Sequence, residues 1–229
     1  LKKHRQMAEI CGFNNYAELA MATKMIENPT KANEFIKSLK DLAKKHLTKE
    51  IEAIIEIKKE LGDDTDFSPT DKIYYSERLV EKVANIKEEE IRPYFPYKHV
   101  RGEILNIFSD MFSIQFEQEI LKEKWHKDID TYQIKSNGRI LGRIHLDMHP
   151  REGKYTHACQ ADIRKGKLHG DLSEAILVCN FNKPSKKSDG LQSIDEVETF
   201  FHEFGHLLHE ILGTQNNTYY GLGGVSTEW

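Results

Sequence analysis

Apolar residues recur at three- and four-residue spacing through much of the sequence up to Phe116, which is the spacing of amphipathic helices. The stretch 61–64 interrupts this periodicity, and Pro69 opens the next element. We therefore expect residues 1–128 to form a helical lobe with the apolar stripes packed in its core. The recurring positions are Phe35, Leu39, Leu42, Ala43, Leu47, Ile51, Ile54, Ile55, Val100, Ile104, Ile107, Phe108, Phe112 and Phe116.

The periodicity changes in the second half of the chain. Residues 132–135 and 139–147 flank an Asn-Gly pair at 137 and 138, the pair that favours a type I′ turn, so we predict a β-hairpin here. The apolar run 175–181 predicts a buried strand. We assign residues 129–229 to a small β-sheet and the helix that follows it. The expected fold class is mainly α with a small β-sheet, an α+β fold.

The helix after the sheet has recognisable ends. Ser193 and Glu196 have the spacing of a capping box, and Gly213 offers a left-handed C-terminal stop. Between these ends the apolar residues return to the same side of the helix and form one broad stripe. Its members are Val197, Phe200, Phe201, Phe204, Leu207, Leu208 and Ile211.

The opposite side of this helix carries His202, His206 and His209, within about 60° of each other. The segment His-Glu-Phe-Gly-His at 202–206 places two imidazoles at i and i+4, where both can bind one Zn²⁺. Glu203 can reach a metal-bound water and act as general base. Three successive turns of a straight helix cannot surround a tetrahedral ion, so we assign His209 a supporting or packing role.

Gly205 lies in the middle of the predicted helix, where it costs about 1 kcal/mol relative to alanine. The absence of a side chain at Gly205 has two interpretations. It allows another backbone to approach the metal, or it allows tight packing, and the sequence leaves both open. The remaining histidines lack the spacing of zinc ligands, and we expect packing or surface roles for them. They include His145, His149, His157 and His169.

A catalytic zinc needs three protein ligands and an open position. Glu210 is rotated away from the histidine pair, and Glu228 stands one residue from the end of the sequence. Cys159 and Cys179 are candidates for a thiolate ligand, but their spacing is not convincing. We expect the third ligand just beyond Trp229, so that this segment alone binds zinc weakly and shows little turnover.

The composition of the chain limits the classes of binding partner and the cellular compartments to expect. The net charge of −4 gives no reason to expect nucleic acid. Three cysteines, far apart and odd in number, argue against a disulfide framework and for a reducing compartment. No signal peptide or transmembrane run is visible. We expect a cytoplasmic protein without nucleic-acid or membrane partners.

Several segments, in order along the chain, resemble those of M3 family zinc oligopeptidases of the thimet oligopeptidase and oligopeptidase F type. They include Gly-Phe-Asn-Asn-Tyr-Ala-Glu-Leu, Tyr-Tyr-Ser-Glu-Arg-Leu, Pro-Arg-Glu-Gly-Lys-Tyr and Asn-Phe-Asn-Lys-Pro. A further similar segment, Asp-Glu-Val-Glu-Thr-Phe-Phe, leads directly into His-Glu-Phe-Gly-His. The similar stretches are 11–25, 73–79, 92–96, 146–155, 180–184 and 195–206.

This resemblance implies a zincin-like metallopeptidase, a helical lobe followed by the N-terminal side of the catalytic region, that cleaves short peptides. It makes His202 and His206 zinc ligands and Glu203 the general base, with a zinc-activated water attacking the peptide. Residues 221–229 are similar to the stretch that enters the family's third-ligand segment, whose glutamate would follow Trp229. Two alternatives remain: a catalytically incomplete metal-binding or structural segment, and another metallohydrolase with a cysteine as third ligand.

The predicted sheet suggests how a peptide binds. Peptidases often add their substrate as an extra strand to an exposed sheet edge. We hypothesise that a strand within 132–147 or 175–181 lies beside the metal helix and does this. The alternative is a sheet that only covers the helix.

Overall fold

The computed structural model describes residues 1–166 and 172–213. They form two compact units, one built on Leu1–Asn85 and one that begins at Ile86. The sequence suggests a different boundary, near residue 128, where the helical pattern gives way to a mixed one. That boundary stays a prediction. None of the described helices is long and apolar enough to span a membrane.

The first unit is helical, as the periodicity predicts. The expectation that its apolar stripe packs in a core was wrong for four exposed positions of α3, Phe35, Leu39, Leu42 and Leu47. Asn15 and Asn28 begin two of its helices, because each side-chain oxygen accepts a hydrogen bond from the backbone three residues on. The predicted break at 61–64 and the start at Pro69 are confirmed, since a short 3₁₀ turn at Pro69–Asp71 leads into the next helix. The helices are α1 (Lys2–Ile10), α2 (Tyr16–Met21), α3 (Pro29–Glu60) and α4 (Lys72–Ala84).

A small core joins the end of α3 to α4. Ile54, Ile57 and Tyr75 are its buried members. Beside them the Lys58 side chain is only 2% exposed, and its ammonium lies 2.6 Å from a carboxylate oxygen of Asp71. A buried cation of this kind requires a paired carboxylate, so this contact fixes the two helices against each other.

The described residues of the second unit form three α-helices and a five-stranded sheet, which confirms the α+β class. Helix α6 ends because Ser113 adopts a left-handed conformation, with φ of 53°. The prediction that the helical run continues to Phe116 was therefore wrong, since Phe116 lies in a strand. The elements are α5 (Glu88–Ile91), α6 (Tyr97–Phe112), β1 (Gln115–Glu119), β2 (Asp130–Ser136), β3 (Arg139–Asp147), β4 (Cys159–Arg164), β5 (Ser173–Val178) and α7 (Ile194–Gly213).

The sheet is mixed and its strand order is β1-β2-β3-β5-β4. The predicted hairpin is confirmed as β2 and β3, with positive φ at both Asn137 and Gly138 as a type I′ turn requires. The predicted strand at 175–181 is β5, which begins at Ser173 and ends at Val178. It runs parallel to β3 and antiparallel to β4. Strands β1 and β4 were not predicted.

Helices α6 and α7 share one core with the sheet. The Phe204 ring of α7 lies 5.1 Å from Phe108 of α6 and 5.7 Å from Phe116 of β1. Ile144 of β3 and Leu177 of β5 are fully buried in the same cluster. This core holds α7 against one face of the sheet.

Close approach between β3, β5 and α7 depends on Gly142. A β-carbon there would lie 2.8 Å from the Ser173 carbonyl oxygen and 2.9 Å from Cγ2 of Ile211. We expect Gly142→Ala to lower the free energy of unfolding by about 1–3 kcal/mol, because the backbone must shift to admit the methyl group. Urea denaturation measures this. The matched control is Gly102→Ala in α6, where a β-carbon meets no described atom within 4 Å, and equal losses in both variants would contradict the steric explanation.

Candidate metal and peptide site on helix α7

Helix α7 begins with the capping box that the sequence predicts. The Glu196 backbone donates to Oγ of Ser193 at 3.0 Å, and the Ser193 backbone donates to Oε2 of Glu196 at 2.8 Å. The apolar stripe faces the sheet, with Phe200 and Phe204 fully buried. Gly213 is the last described residue of the helix. These local signals fix which side of α7 is left for the histidines.

The two motif histidines converge on the exposed side of α7. The Nε2 atoms of His202 and His206 lie 3.1 Å apart, and the ring centroids are 4.7 Å apart. Two nitrogens bound to one tetrahedral zinc are separated by about 3.3 Å, given Zn–N distances of roughly 2.0–2.1 Å. The pair therefore fits two positions of such an ion. His209 is exposed one turn further on, beside an apolar groove of about 250 Å³.

Gly205 also lines that groove. A β-carbon built on it would meet no atom of the described residues within 4 Å, so the tight-packing interpretation finds no support in this part of the chain. The flank of α7 next to the histidines is thus open to an approaching group. This is the arrangement expected if another backbone approaches there, although no described residue does so.

Glu203 lies half-buried on α7 between the histidine side and the sheet. Burial, and then the nearby Glu203 carboxylate, raise the pKa of the Cys159 thiol. The same causes raise the pKa of Cys179 to about 12. The carboxylate therefore sits within electrostatic range of the start of β4 and the end of β5.

The third metal ligand is not among the described residues. No group of three or more His, Cys, Asp or Glu side chains in 1–166 and 172–213 is arranged to hold a metal ion. The described residues therefore give no support to the alternative in which Cys159 or Cys179 completes the site, and that alternative stays open. Residues 221–229 and His169 lie outside the described residues, so the expected ligand beyond Trp229 stays a prediction.

Among residues 1–166 and 172–213, the free edges of the sheet are β1 and β4, two strands that the sequence did not reveal. Strand β2 is paired with β1 and β3, and both β3 and β5 are likewise paired on two sides. The hypothesis that a strand in 132–147 or 175–181 adds the peptide was therefore wrong. The open edge beside α7 belongs to β4, which the sheet order places outermost, and α7 contacts β4 as well as β5.

A buried ammonium fixes the backbone just before β4. The Lys154 side chain is 3% exposed, and its Nζ donates to the carbonyl oxygens of Asp147, His149 and Cys179 at 2.8, 2.8 and 2.5 Å. It also lies 2.9 Å from Oδ1 of Asp147, whose carboxylate accepts both guanidinium nitrogens of Arg151. One cation thus joins the ends of β3 and β5 to the segment that leads into β4.

His145 and His149, which lie outside α7, have the packing roles that the sequence predicts. His145 lies on the sheet face away from α7, hydrogen bonded at 2.9 Å to both Thr131 and Glu174. His149 packs edge-on against Tyr97, with ring centroids 4.7 Å apart, and forms a 3.1 Å hydrogen bond with the carbonyl oxygen of Phe181. Both side chains therefore serve packing and hydrogen bonding, which confirms the prediction for these two.

Two converging histidines and an adjacent carboxylate, on a helix packed beside an open sheet edge, are the elements from which metallopeptidases build their sites. The sequence model of Peptidase family M3 matches residues 1–229, and the chain belongs to that family of metallopeptidases.

Individual relatives agree with the family match. Oligopeptidase A of Haemophilus influenzae is 37% identical over 213 residues, which are 90% of this chain and 31% of that protein. Oligopeptidase A of Escherichia coli is 33% identical over 232 residues, 99% of this chain and 34% of that protein. Saccharolysin of Saccharomyces cerevisiae is 29% identical over 244 residues, 98% of this chain and 34% of that protein. The chain therefore spans about a third of the length of these relatives.

Proposed function

We propose that this protein is a zinc metalloendopeptidase of zincin type that hydrolyses short peptides. The observation that carries the proposal is the 3.1 Å separation of the His202 and His206 Nε2 atoms on the exposed side of α7, with Glu203 next to the first of them. Membership of a peptidase family supports the reaction class. The names of the relatives support peptides as the substrate.

Each residue has a defined task in this proposal. His202 and His206 hold the ion through Nε2, and a third ligand comes from outside the described residues. Bound zinc would polarise the scissile carbonyl and acidify a water molecule. Glu203 accepts the proton of the attacking water and returns it to the leaving amine.

Peptide binding is assigned to the open edge of β4. An extended peptide placed there pairs its main chain with unpaired groups of Cys159–Arg164, while α7 lies alongside. Main-chain pairing is independent of side chains, so it suits a peptidase that accepts varied sequences. Reducing surroundings, and hence a cytoplasmic location, are supported by the three free thiols Cys11, Cys159 and Cys179.

The test measures metal content and hydrolysis together in the full-length protein. We expect the wild type to hold one zinc per chain and to cleave quenched fluorescent peptides of about ten residues. His202→Ala removes one ligand and should lose the zinc and the activity. The control is His46→Ala, an exposed histidine in α3 that should keep both.

Two results separate the alternatives. Stoichiometric zinc in His202→Ala would remove this residue from the ligand set. A wild-type protein with no zinc and no hydrolysis would favour the incomplete or structural segment instead.

A further inference from the structure

Two exposed rings stand immediately before the edge strand. Tyr155 is 59% exposed, and its ring centroid lies 5.6 Å from that of His157, which is also exposed. They are in contact with each other while both remain open to solvent. A pair of adjoining exposed rings offers a surface for a third apolar or aromatic group.

Hydrogen bonds hold the backbone next to these rings in place. Lys154, the preceding residue, is held by three carbonyl oxygens and the Asp147 carboxylate. The carbonyl oxygen of Tyr155 accepts a hydrogen bond of 3.1 Å from Nδ2 of Asn180, just beyond β5. A binding surface on a fixed backbone loses little conformational entropy when it takes a ligand.

The rings precede the strand that packs beside Glu203, the residue to which we assign the general-base role. His157 is two residues from Cys159, the first residue of β4, and helix α7, which carries Glu203, packs against β4. A strand advances about 3.3 Å per residue, so Tyr155 is no more than roughly 13 Å along the chain from Cys159. A peptide on the β4 edge with its reacting bond at Glu203 passes these rings within a few residues of that bond.

The two cations that precede β4, Lys154 and Arg151, do not offer a charged site for recognising a peptide. The Lys154 ammonium is buried and surrounded by four acceptors, and the Arg151 guanidinium is occupied by both oxygens of Asp147. Neither cation is left to attract an acidic side chain. Of the exposed side chains on this segment, the two rings offer the apolar surface, beside the Glu152 carboxylate and the Thr156 hydroxyl.

We propose that Tyr155 and His157 form a specificity subsite that favours an aromatic or large apolar residue at one substrate position near the scissile bond. This inference rests on the proposed function and on peptide binding along β4. It assigns a selecting role to Tyr155 and His157, which take no part in proton transfer or metal binding.

The experiment moves a single phenylalanine stepwise through an otherwise uniform alanine peptide of about ten residues with a fluorophore and quencher at its ends. The value of kcat/KM is measured for each peptide with the zinc-loaded full-length protein. We expect one substrate position at which phenylalanine is preferred. In Tyr155→Ala, and in His157→Ala, this preference should fall by roughly fivefold, because a ring contact of this kind is worth about 0.5–1.5 kcal/mol.

Tyr94→Ala is the matched control, because Tyr94 is 74% exposed in the same unit and precedes α6. It should leave the preference at every position unchanged. Tyr155→Phe should retain the preference, because it retains the ring. The proposal is overturned if Tyr155→Ala keeps the full preference or lowers kcat/KM equally for all peptides. Failure of the wild type to cleave any peptide would instead overturn the proposed function.

Discussion

Glu203→Gln is expected to lower kcat for peptide hydrolysis by about 10³-fold or more while the zinc content stays unchanged. The substitution keeps the size of the side chain but removes the group that accepts a proton, and general bases contribute roughly 10²–10⁴-fold. Zinc is retained because His202 and His206, whose Nε2 atoms converge at 3.1 Å, are untouched. Single-turnover hydrolysis and metal analysis of the same sample provide the two measurements.

The control for this prediction is Glu198→Gln, which removes an exposed carboxylate from the same helix. It should change neither quantity. Activity close to wild type in Glu203→Gln would remove Glu203 from the assigned role, and loss of zinc would make it a ligand.

Lys154→Met is expected to lower the free energy of unfolding by about 3–5 kcal/mol. The substitution leaves three buried carbonyl oxygens without their donor and deprives Asp147 of one of its two cations. Urea denaturation checks the loss. The matched control is Lys183→Met, whose ammonium pairs with Asp128 at 2.6 Å on the surface and should cost no more than about 1 kcal/mol. Similar losses in both variants would contradict the importance of burial.

The pH dependence of stability follows from the same cluster. Burial alone would raise the pKa of Asp147, but hydrogen bonds from Arg151 and Lys154 outweigh it and hold this pKa below its usual range. A depressed folded-state pKa contributes stability above the unfolded value of about 3.9, and this stability is lost as the pH falls through the folded value. In Lys154→Met the pKa of Asp147 rises, so its share of the acid-induced loss begins at a higher pH.

Local signals allowed helix α7 to be predicted from the sequence. A capping box, an apolar stripe and two histidines at i and i+4 all act within one helix, so Ser193, Phe204 and His202 needed no knowledge of the rest of the fold. The Asn-Gly turn at 137 and 138 is equally local. These features depend on neighbours along the chain, and they were placed correctly.

The edge strands β1 and β4 could not be predicted in the same way. Strands β1 and β4 are largely exposed and polar, so they lack the apolar alternation that marks a half-buried strand. Their place at the edges depends on β5 entering between β3 and β4, which is a property of the whole sheet. Likewise nothing local distinguishes Lys154, buried among carbonyl oxygens, from the exposed lysines elsewhere in the chain.

The irregular pairing of β4 has a consequence for self-association. Open sheet edges invite other chains to pair and aggregate. In β4 the register shifts between Asp162 and Arg164, and both of these charged residues are exposed. The shift and the charges confine the regular ladder to the few residues after Cys159. The shift and these charges therefore disfavour pairing of this edge with the sheet of another folded molecule.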